Sequence, residues 1–476
     1  MVWQGASYLF GKLAVLVTTL VLARLLVPED FGLVALAMVF ITYADSIADL
    51  GVAQALVYLP RTAANTRAAM LSALGFAAVL GAGALLGAPV VAALFGEPDV
   101  APLIQLLSIS LVAGAVASVP ESLMRRDLQF RRLSSAAVLR SVAVGIVSVV
   151  LAATGLGAAA LVWGTIAGAL VYVVATWALV PARPDVRVWR TQRAALGSVL
   201  GYGLPAAGGL LLSKLIFDID YLIIGHQLGA EALGFYTMAF RIPELLILNV
   251  FFVVSSVTFP VYSQARSEPE RLQRGYLNSV RIQAAYGVSA GLGTAAVAPV
   301  LIPVLLGENW VPVVAALVPL AVYAALRSLG AGANDIYKAI GRPGLSVQIS
   351  LLRLVVLVPT LVLATRWGFA GVAWAQAGAA AVFVVLMQGV ALRVLGLRAS
   401  QLLRAAGPGL TAGAATGGAA LLVVLLLPGA DVVVLAVAVV AGLAAGGGTL
   451  HLLAPTLARE VLRMFRRRTP SRPPAA

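Results

Sequence analysis

Apolar runs long enough to cross a bilayer follow one another from end to end of the chain, separated by short connections that hold proline, glycine and charged side chains. A hydrocarbon core of about 30 Å takes about 20 helical residues per crossing. Fourteen such runs can be marked, at 2 to 26, 31 to 58, 68 to 94, 101 to 123, 133 to 153, 157 to 180, 201 to 227, 232 to 262, 275 to 305, 310 to 335, 345 to 365, 369 to 394, 402 to 427 and 432 to 454. Some exceed the hydrocarbon thickness, which calls for tilt or for helix protruding into water. The pattern predicts an all-α polytopic membrane protein with about fourteen transmembrane helices and no separate water-soluble domain. The first run lacks a basic leader and a small-residue cleavage site and is too long for a signal peptide, so it reads as a span.

Composition agrees. The 476 residues are 61% apolar and 11% charged, against about 25% charged in ordinary soluble domains. The absence of cysteine excludes disulfides, thiolate nucleophiles and Cys-ligated metal centres. The two histidines, His226 and His451, form no HExxH, and no Walker-type segment occurs. The chain therefore reads as no enzyme and as needing no cofactor; energy for any work it does would come from outside it, as Na+, H+ or the membrane potential. Small-residue stretches near Gly81 and Gly413 suit close helix packing, although the same Ala and Gly content, with 30 Arg against 3 Lys, also fits a GC-rich coding sequence.

The net charge of +14 is segregated. The even-numbered connections and the tail hold 24 of the 33 cations, whereas the odd-numbered connections hold one cation, Arg366, beside seven acids that include Glu29, Asp30, Glu97 and Glu231. By the positive-inside rule both termini face the cytoplasm, which in a bacterium means the cytoplasmic side of the inner membrane.

The chain also repeats. Sliding it by 202 residues places Leu9, Lys12, Leu13, Leu20, Leu26, Glu29, Gly32 and Ala37 on Leu211, Lys214, Leu215, Leu222, Leu228, Glu231, Gly234 and Ala239 without a gap. Two of the only three lysines coincide. Spans 1 to 6 and 7 to 12 thus read as parallel six-helix lobes around a central cavity. The divisions are an N-lobe over 1–182, a cytoplasmic linker over 183–200, a C-lobe over 201–396, spans 13 and 14 over 397–456, and a basic tail over 457–476 expected to be disordered.

The segments ARLLVPEDFGLVALAMVF from Ala23, ADLGVAQALV from Ala48, ESLMRRDLQFRRL from Glu121 and DIDYLIIGHQLGAEALGFYTMAFRI from Asp218 resemble the polysaccharide-flippase branch of the multidrug/oligosaccharidyl-lipid/polysaccharide exporter superfamily. RRDLQF is similar to the Wzx-type subgroup that exports colanic and teichuronic acids. The resemblance implies a two-lobed fourteen-helix protein that moves an undecaprenyl-pyrophosphate-linked oligosaccharide to the outer leaflet by alternating access, for exopolysaccharide or other cell-surface polysaccharide synthesis. It implies as partners the polyprenyl-linked glycan, membrane lipids, a polysaccharide polymerase and glycosyltransferases, with no nucleic acid. The competing readings are a lipid II flippase, a cation-coupled drug antiporter of the same superfamily, and a non-transporting scramblase or scaffold.

Charges inside the spans carry the chemistry, because the bilayer centre penalises each by about 2.5–3.5 kcal/mol. The candidate pyrophosphate or glycan contacts are Lys12, Arg140, Lys214, Arg241, Arg327 and Arg353; the candidate coupling or gating acids are Asp45, Asp49, Asp218, Asp220 and Glu244. A pyrophosphate is well served by cations in a low-dielectric site, and the repeat sets Lys12 and Lys214 at equivalent positions. Against this, Lys214 with Asp218 and Arg241 with Glu244 stand at ion-pair spacing on one helix face, and Arg24 and Asp335 are expected to reach the interfaces. The linker RPDVRVWRTQRAALGSVL reads as a segment lying on anionic lipid. Pro205, Pro243, Pro299, Pro303, Pro319 and Pro359 mark places where spans can bend.

Overall fold

The structure, a computed structural model, describes residues 2–49, 52–181 and 184–455, with side chains at these positions except 2–10, 12, 13, 48, 49, 52–54, 202–213, 216, 252, 253, 256, 257 and 343. The expected tail over 457–476 and Arg183 lie outside the described residues. All regular structure among the described residues is helical. In chain order the helices are α1 (Val2–Leu25), α2 (Pro28–Asp49), α3 (Val52–Tyr58), α4 (Ala63–Phe95), α5 (Val100–Arg126), α6 (Phe130–Ala153), α7 (Ala158–Leu179) and α8 (Arg193–Pro243), followed by α9 (Asn249–Gln264), α10 (Pro269–Gln283), α11 (Ser289–Leu305), α12 (Val313–Ala339), α13 (Pro343–Ala364), α14 (Gly368–Leu395), α15 (Ala399–Leu426) and α16 (Asp431–Leu453). Among the described residues eleven stretches are long and apolar enough to cross a membrane, and three of them, Phe217–Phe251, Pro269–Leu305 and Gly344–Leu395, run through more than one of these helices.

Local chemistry sets the helix ends. Thr62 accepts the Asn65 N–H at 3.1 Å and starts α4; Pro269 and Pro343 open α10 and α13. Left-handed Gly96 and Gly396 close α4 and α14. The run expected as a single span over 31 to 58 is helical over Pro28–Asp49 and Val52–Tyr58. Two π-helical turns, Glu244–Leu248 and Ala284–Val288, interrupt the C-terminal helices. Tyr286 in the second donates to the Leu246 carbonyl in the first at 2.5 Å.

The chain forms two compact units, Met1–Thr237 and Met238–Ala476. In the first, α7 packs closely on α6: a Cβ at Gly164 would lie 1.8 Å from Ser148 Oγ, and one at Gly168 would lie 2.3 Å from Val144. In the second, Gly409, Gly413 and Gly417 on α15 lie against Ala284, Val288 and Leu292, one helical turn apart. This is the small-residue face expected near Gly413. In the stretch near Gly81, Gly81 faces α5, where a Cβ would lie 4.0 Å from the Ser108 carbonyl oxygen, whereas Gly83 and Gly87 have open space beside them.

The PEDFG corner is held by carboxylates. Asp30 accepts the Val27 N–H at 3.1 Å through Oδ2 and, through Oδ1, the Ala158 N–H at the start of α7 at 2.8 Å. Glu97 likewise accepts the Ala230 N–H at 2.8 Å, just past the break in α8 where Gly229 takes φ 84°. Carboxylates at helix starts satisfy orphan N–H groups. Asp30→Ala is expected to cost about 1–2 kcal/mol, read as a lowered thermal midpoint of the purified protein by circular dichroism.

The repeat is visible at this corner. A Cβ at Gly32 would fall 1.7 Å from the Ala230 carbonyl oxygen, and one at Gly234 would fall 1.9 Å from that of Pro28. Shifting by 202 residues exchanges Gly32 with Gly234 and Pro28 with Ala230, so the two copies of the corner meet reciprocally, backbone on backbone, within the first unit.

Candidate functional site

In the first unit Lys214 of α8 reaches Tyr43 of α2. Lys214 Nζ lies 3.7 Å from Asp218 Oδ2 and 5.5 Å from the centroid of the Tyr43 ring. Two residues past Asp218, Asp220 is buried at 2% exposure and accepts from the Tyr236 hydroxyl at 2.7 Å. Asp45 on α2 sits where α5 passes closely, its Oδ1 lying 2.9 Å from the position of a Cβ at Gly114. Lys214, Asp218 and Tyr43 thus form a polar cluster, beside which Asp220 and Tyr236 form a buried pair. Arg140 on α6 stands apart from it, its guanidinium 5.6 Å from the centroid of the Tyr172 ring on α7. The side chains of Lys12 and Asp49 lie outside the described residues.

In the second unit two arginines from different helices meet on one hydroxyl. Arg327 on α12 donates to Tyr323 Oη at 2.7 Å, and Arg353 on α13 donates to the same oxygen at 3.4 Å. Tyr323 is 3% exposed and stacks at a tilt on Phe240, with centroids 6.1 Å apart. Both guanidinium groups are partly buried. Converging like charges repel more strongly away from water, and forked donors suit phosphate oxygens. Two such forks converge on one phenol oxygen. Arg241 and Glu244, at the entry to the first π turn, form their own pair at 3.7 Å.

Asp335 departs from expectation. It does not reach an interface: it is 3% exposed and accepts from Ser255 Oγ and Thr258 Oγ1 of α9, each at 2.6 Å. The hydroxyls of a facing helix satisfy the carboxylate and remove the reason to extend toward water. Asp335→Ala is expected to cost about 2 kcal/mol by leaving both hydroxyls without this acceptor, measured by thermal unfolding; Asp335→Asn, which keeps one acceptor, is expected to cost less.

The residues that sequence reasoning did not single out are phenols. Tyr43, Tyr236 and Tyr323 each bring together or neutralise charged groups. Only Tyr323 carried a signal, its spacing of one helical turn from Arg327. In the linker, Asp185 pairs with Arg67 of α4 and accepts the Arg187 N–H at 3.1 Å. The hydrogen bond from Arg67, followed by that from the Arg187 backbone, holds the Asp185 carboxyl down at about 2. Among the described residues no group of three or more His, Asp or Glu side chains converges as a metal site would require.

With this arrangement in view, comparison with known proteins is informative. The family described as polysaccharide biosynthesis protein matches residues 21–315. The chain belongs to this family. It is 23% identical over 360 residues to the lipopolysaccharide biosynthesis protein WzxC of Escherichia coli, covering 73% of this chain and 71% of that one. It is 27% identical to the succinoglycan biosynthesis transport protein ExoT of Rhizobium meliloti, covering 62% and 59%, and 24% identical to the teichuronic acid biosynthesis protein TuaB of Bacillus subtilis, covering 54% and 53%. The matches to ExoT and TuaB therefore span less than two thirds of those proteins. Among solved structures, the lipid II flippase MurJ in an inward closed conformation superposes with a TM-score of 0.67 at 11% identity, over 97% of this chain and 100% of MurJ. An inward-facing multidrug resistance transporter of the MATE family, in the MOP superfamily, gives 0.66 at 18% identity over 81% of this chain and 94% of that one. These likenesses establish the fold. The protein is a multi-pass membrane protein of a polysaccharide-biosynthesis transporter family and not an enzyme.

Proposed function

We propose that this protein is a flippase that carries an undecaprenyl-pyrophosphate-linked oligosaccharide repeat unit from the inner to the outer leaflet of a bacterial cytoplasmic membrane by alternating access. The observation that carries this reading is the meeting of Arg327 and Arg353 on Tyr323 Oη. A diphosphate linking a lipid to a sugar is the anion that a pair of forked, membrane-buried cations would hold. Lys12, Arg140, Lys214 and Arg241 are the remaining cations of the path. Asp45, Asp49, Asp218, Asp220 and Glu244 are the groups through which Na+, H+ or the membrane potential would bias the cycle.

The architecture belonging to this reading has fourteen spans. Counting Phe217–Phe251, which breaks at Gly229, and Gly344–Leu395, which breaks at Gly368, as two crossings each, taking Pro269–Leu305 as one because it continues through its π turn, and adding the helix that contains the apolar segment Ala14–Leu25, gives that number. The six-helix lobes are then 1–182 and 201–396, joined by the linker 183–200 and followed by two spans within 397–456 and the tail 457–476, with both termini cytoplasmic. A polymerase and the glycosyltransferases that build the repeat unit are the expected partners.

Deleting the gene in its own host tests the reading. Loss of one surface polysaccharide, with its lipid-linked repeat unit accumulating on the cytoplasmic face, is the expected outcome. Arrest of peptidoglycan synthesis instead, or normal export of every polymer, would overturn it.

A further inference from the structure

The linker between α7 and α8 is folded onto the first unit rather than draped loosely. Val186, Val188 and Leu196 pack with Trp177 against a buried cluster that includes Leu56, Met70, Leu123 and Val199. The single acid between Pro181 and Leu200, Asp185, is taken up by Arg67 and by the Arg187 N–H. A 3-10 turn over Val188–Arg190 then directs the remaining side chains the other way. Trp189 is 78% exposed, and Arg187, Arg190 and Arg193 around it are exposed as well. Arg132, also exposed, donates to the Leu179 carbonyl at 2.9 Å at the end of α7, where the linker begins.

This is an unusual surface for water. A tryptophan leaves its large apolar ring uncovered among cations, on a segment whose inward half is already satisfied. The segment starts two residues after one membrane-spanning helix ends, and α8 begins at Arg193. That level is the headgroup layer, where an indole buries its ring among acyl chains and carbonyls while arginines meet lipid phosphates. The Asp185–Arg67 pair offsets the one negative charge within the linker that would oppose such contact.

We propose that Arg187, Trp189, Arg190 and Arg193 form a docking surface for anionic phospholipid headgroups, which fixes the linker to the membrane surface. The occupant is lipid and not an acidic protein, because the exposed indole stands at headgroup depth and the cations surround it in a short turn instead of lining a groove.

The protein has no cysteine, so Gln192→Cys, at an exposed linker position, introduces the sole thiol for an environment-sensitive fluorophore. The labelled full chain is reconstituted into vesicles of phosphatidylcholine alone or with phosphatidylglycerol, each doped with a spin-labelled lipid that quenches at headgroup depth. Anionic vesicles are expected to give a blue-shifted, strongly quenched signal that high salt reverses, with each arginine contributing about fivefold to the contact. The Arg187→Gln/Arg190→Gln/Arg193→Gln variant is expected to abolish the difference between the two lipids, and Trp189→Ala to remove the blue shift. Equal quenching in both vesicle types, quenching that survives the triple substitution, or a signal change that needs added soluble protein would each overturn the proposal.

Discussion

Alanine at Gly32 or at Gly234 is expected to eliminate the folded, active protein. The added methyl at Gly32 would meet the Ala230 carbonyl oxygen at 1.7 Å and that at Gly234 the Pro28 carbonyl oxygen at 1.9 Å, far inside van der Waals contact. Both obstacles are backbone atoms, so no rotamer change relieves them. Overpacking a core generally costs about 1–3 kcal/mol, and more where the neighbour cannot move; here the neighbours are also tied down by the Asp30 and Glu97 caps at Ala158 and Ala230. A loss above about 3 kcal/mol is expected for either substitution, seen as loss of the monodisperse detergent-extracted protein and a collapsed thermal midpoint. Gly83→Ala, with nothing within 4 Å of the new atom, serves as the comparison and is expected to be neutral or slightly stabilising. Equal behaviour of Gly32→Ala and Gly83→Ala would contradict the reciprocal contact.

The second large effect concerns recognition. Replacing Arg327 or Arg353 by glutamine is expected to weaken binding of a polyprenyl-pyrophosphate-linked oligosaccharide about 10- to 100-fold, the worth of one charge-assisted hydrogen bond. The double replacement is expected to lose binding beyond either single change, without strict additivity because the two share Tyr323. Lysine at either position keeps the charge and loses the fork, so partial rescue is expected. Tyr323→Phe removes the shared acceptor and leaves both charges; it is expected to cost less than either arginine. Binding is measured on purified protein in nanodiscs, with inorganic pyrophosphate as competitor. Unchanged affinity in a well-folded double variant would remove these arginines from the site.

Neighbours on one helix were legible in the sequence and neighbours on different helices were not. Spacing of three and four residues placed Arg241 beside Glu244 and Lys214 beside Asp218, and both pairs stand at 3.7 Å. The cross-helix partners had no such spacing. Arg353 reaches Tyr323 from 30 residues away, and Ser255 and Thr258 reach Asp335 from 80 and 77. Asp335 consequently looked like an interfacial acid when it is a buried one. Glycine stretches were equally ambiguous: Gly409, Gly413 and Gly417 line a helix contact, whereas Gly83 and Gly87 line none, because composition does not say which face meets a neighbour. The repeat was legible in the sequence, Gly32 on Gly234 among its matches, but that these two glycines are where the copies meet was not. PEDFG was readable as a helix start, but the reach of Asp30 to Ala158, 128 residues on, was not.

The central claim is leaflet exchange of a pyrophosphate-linked glycan through the Arg327–Tyr323–Arg353 site. It is tested most directly by reconstituting the purified protein in liposomes loaded with a fluorescent undecaprenyl-pyrophosphate oligosaccharide and following exposure of the sugar to an enclosed or external glycosidase. The account predicts protein-dependent exchange that the Arg327→Gln/Arg353→Gln variant loses while remaining folded. Exchange at the same rate in that variant, or none with the wild-type chain under an imposed Na+, H+ or electrical gradient, would contradict it.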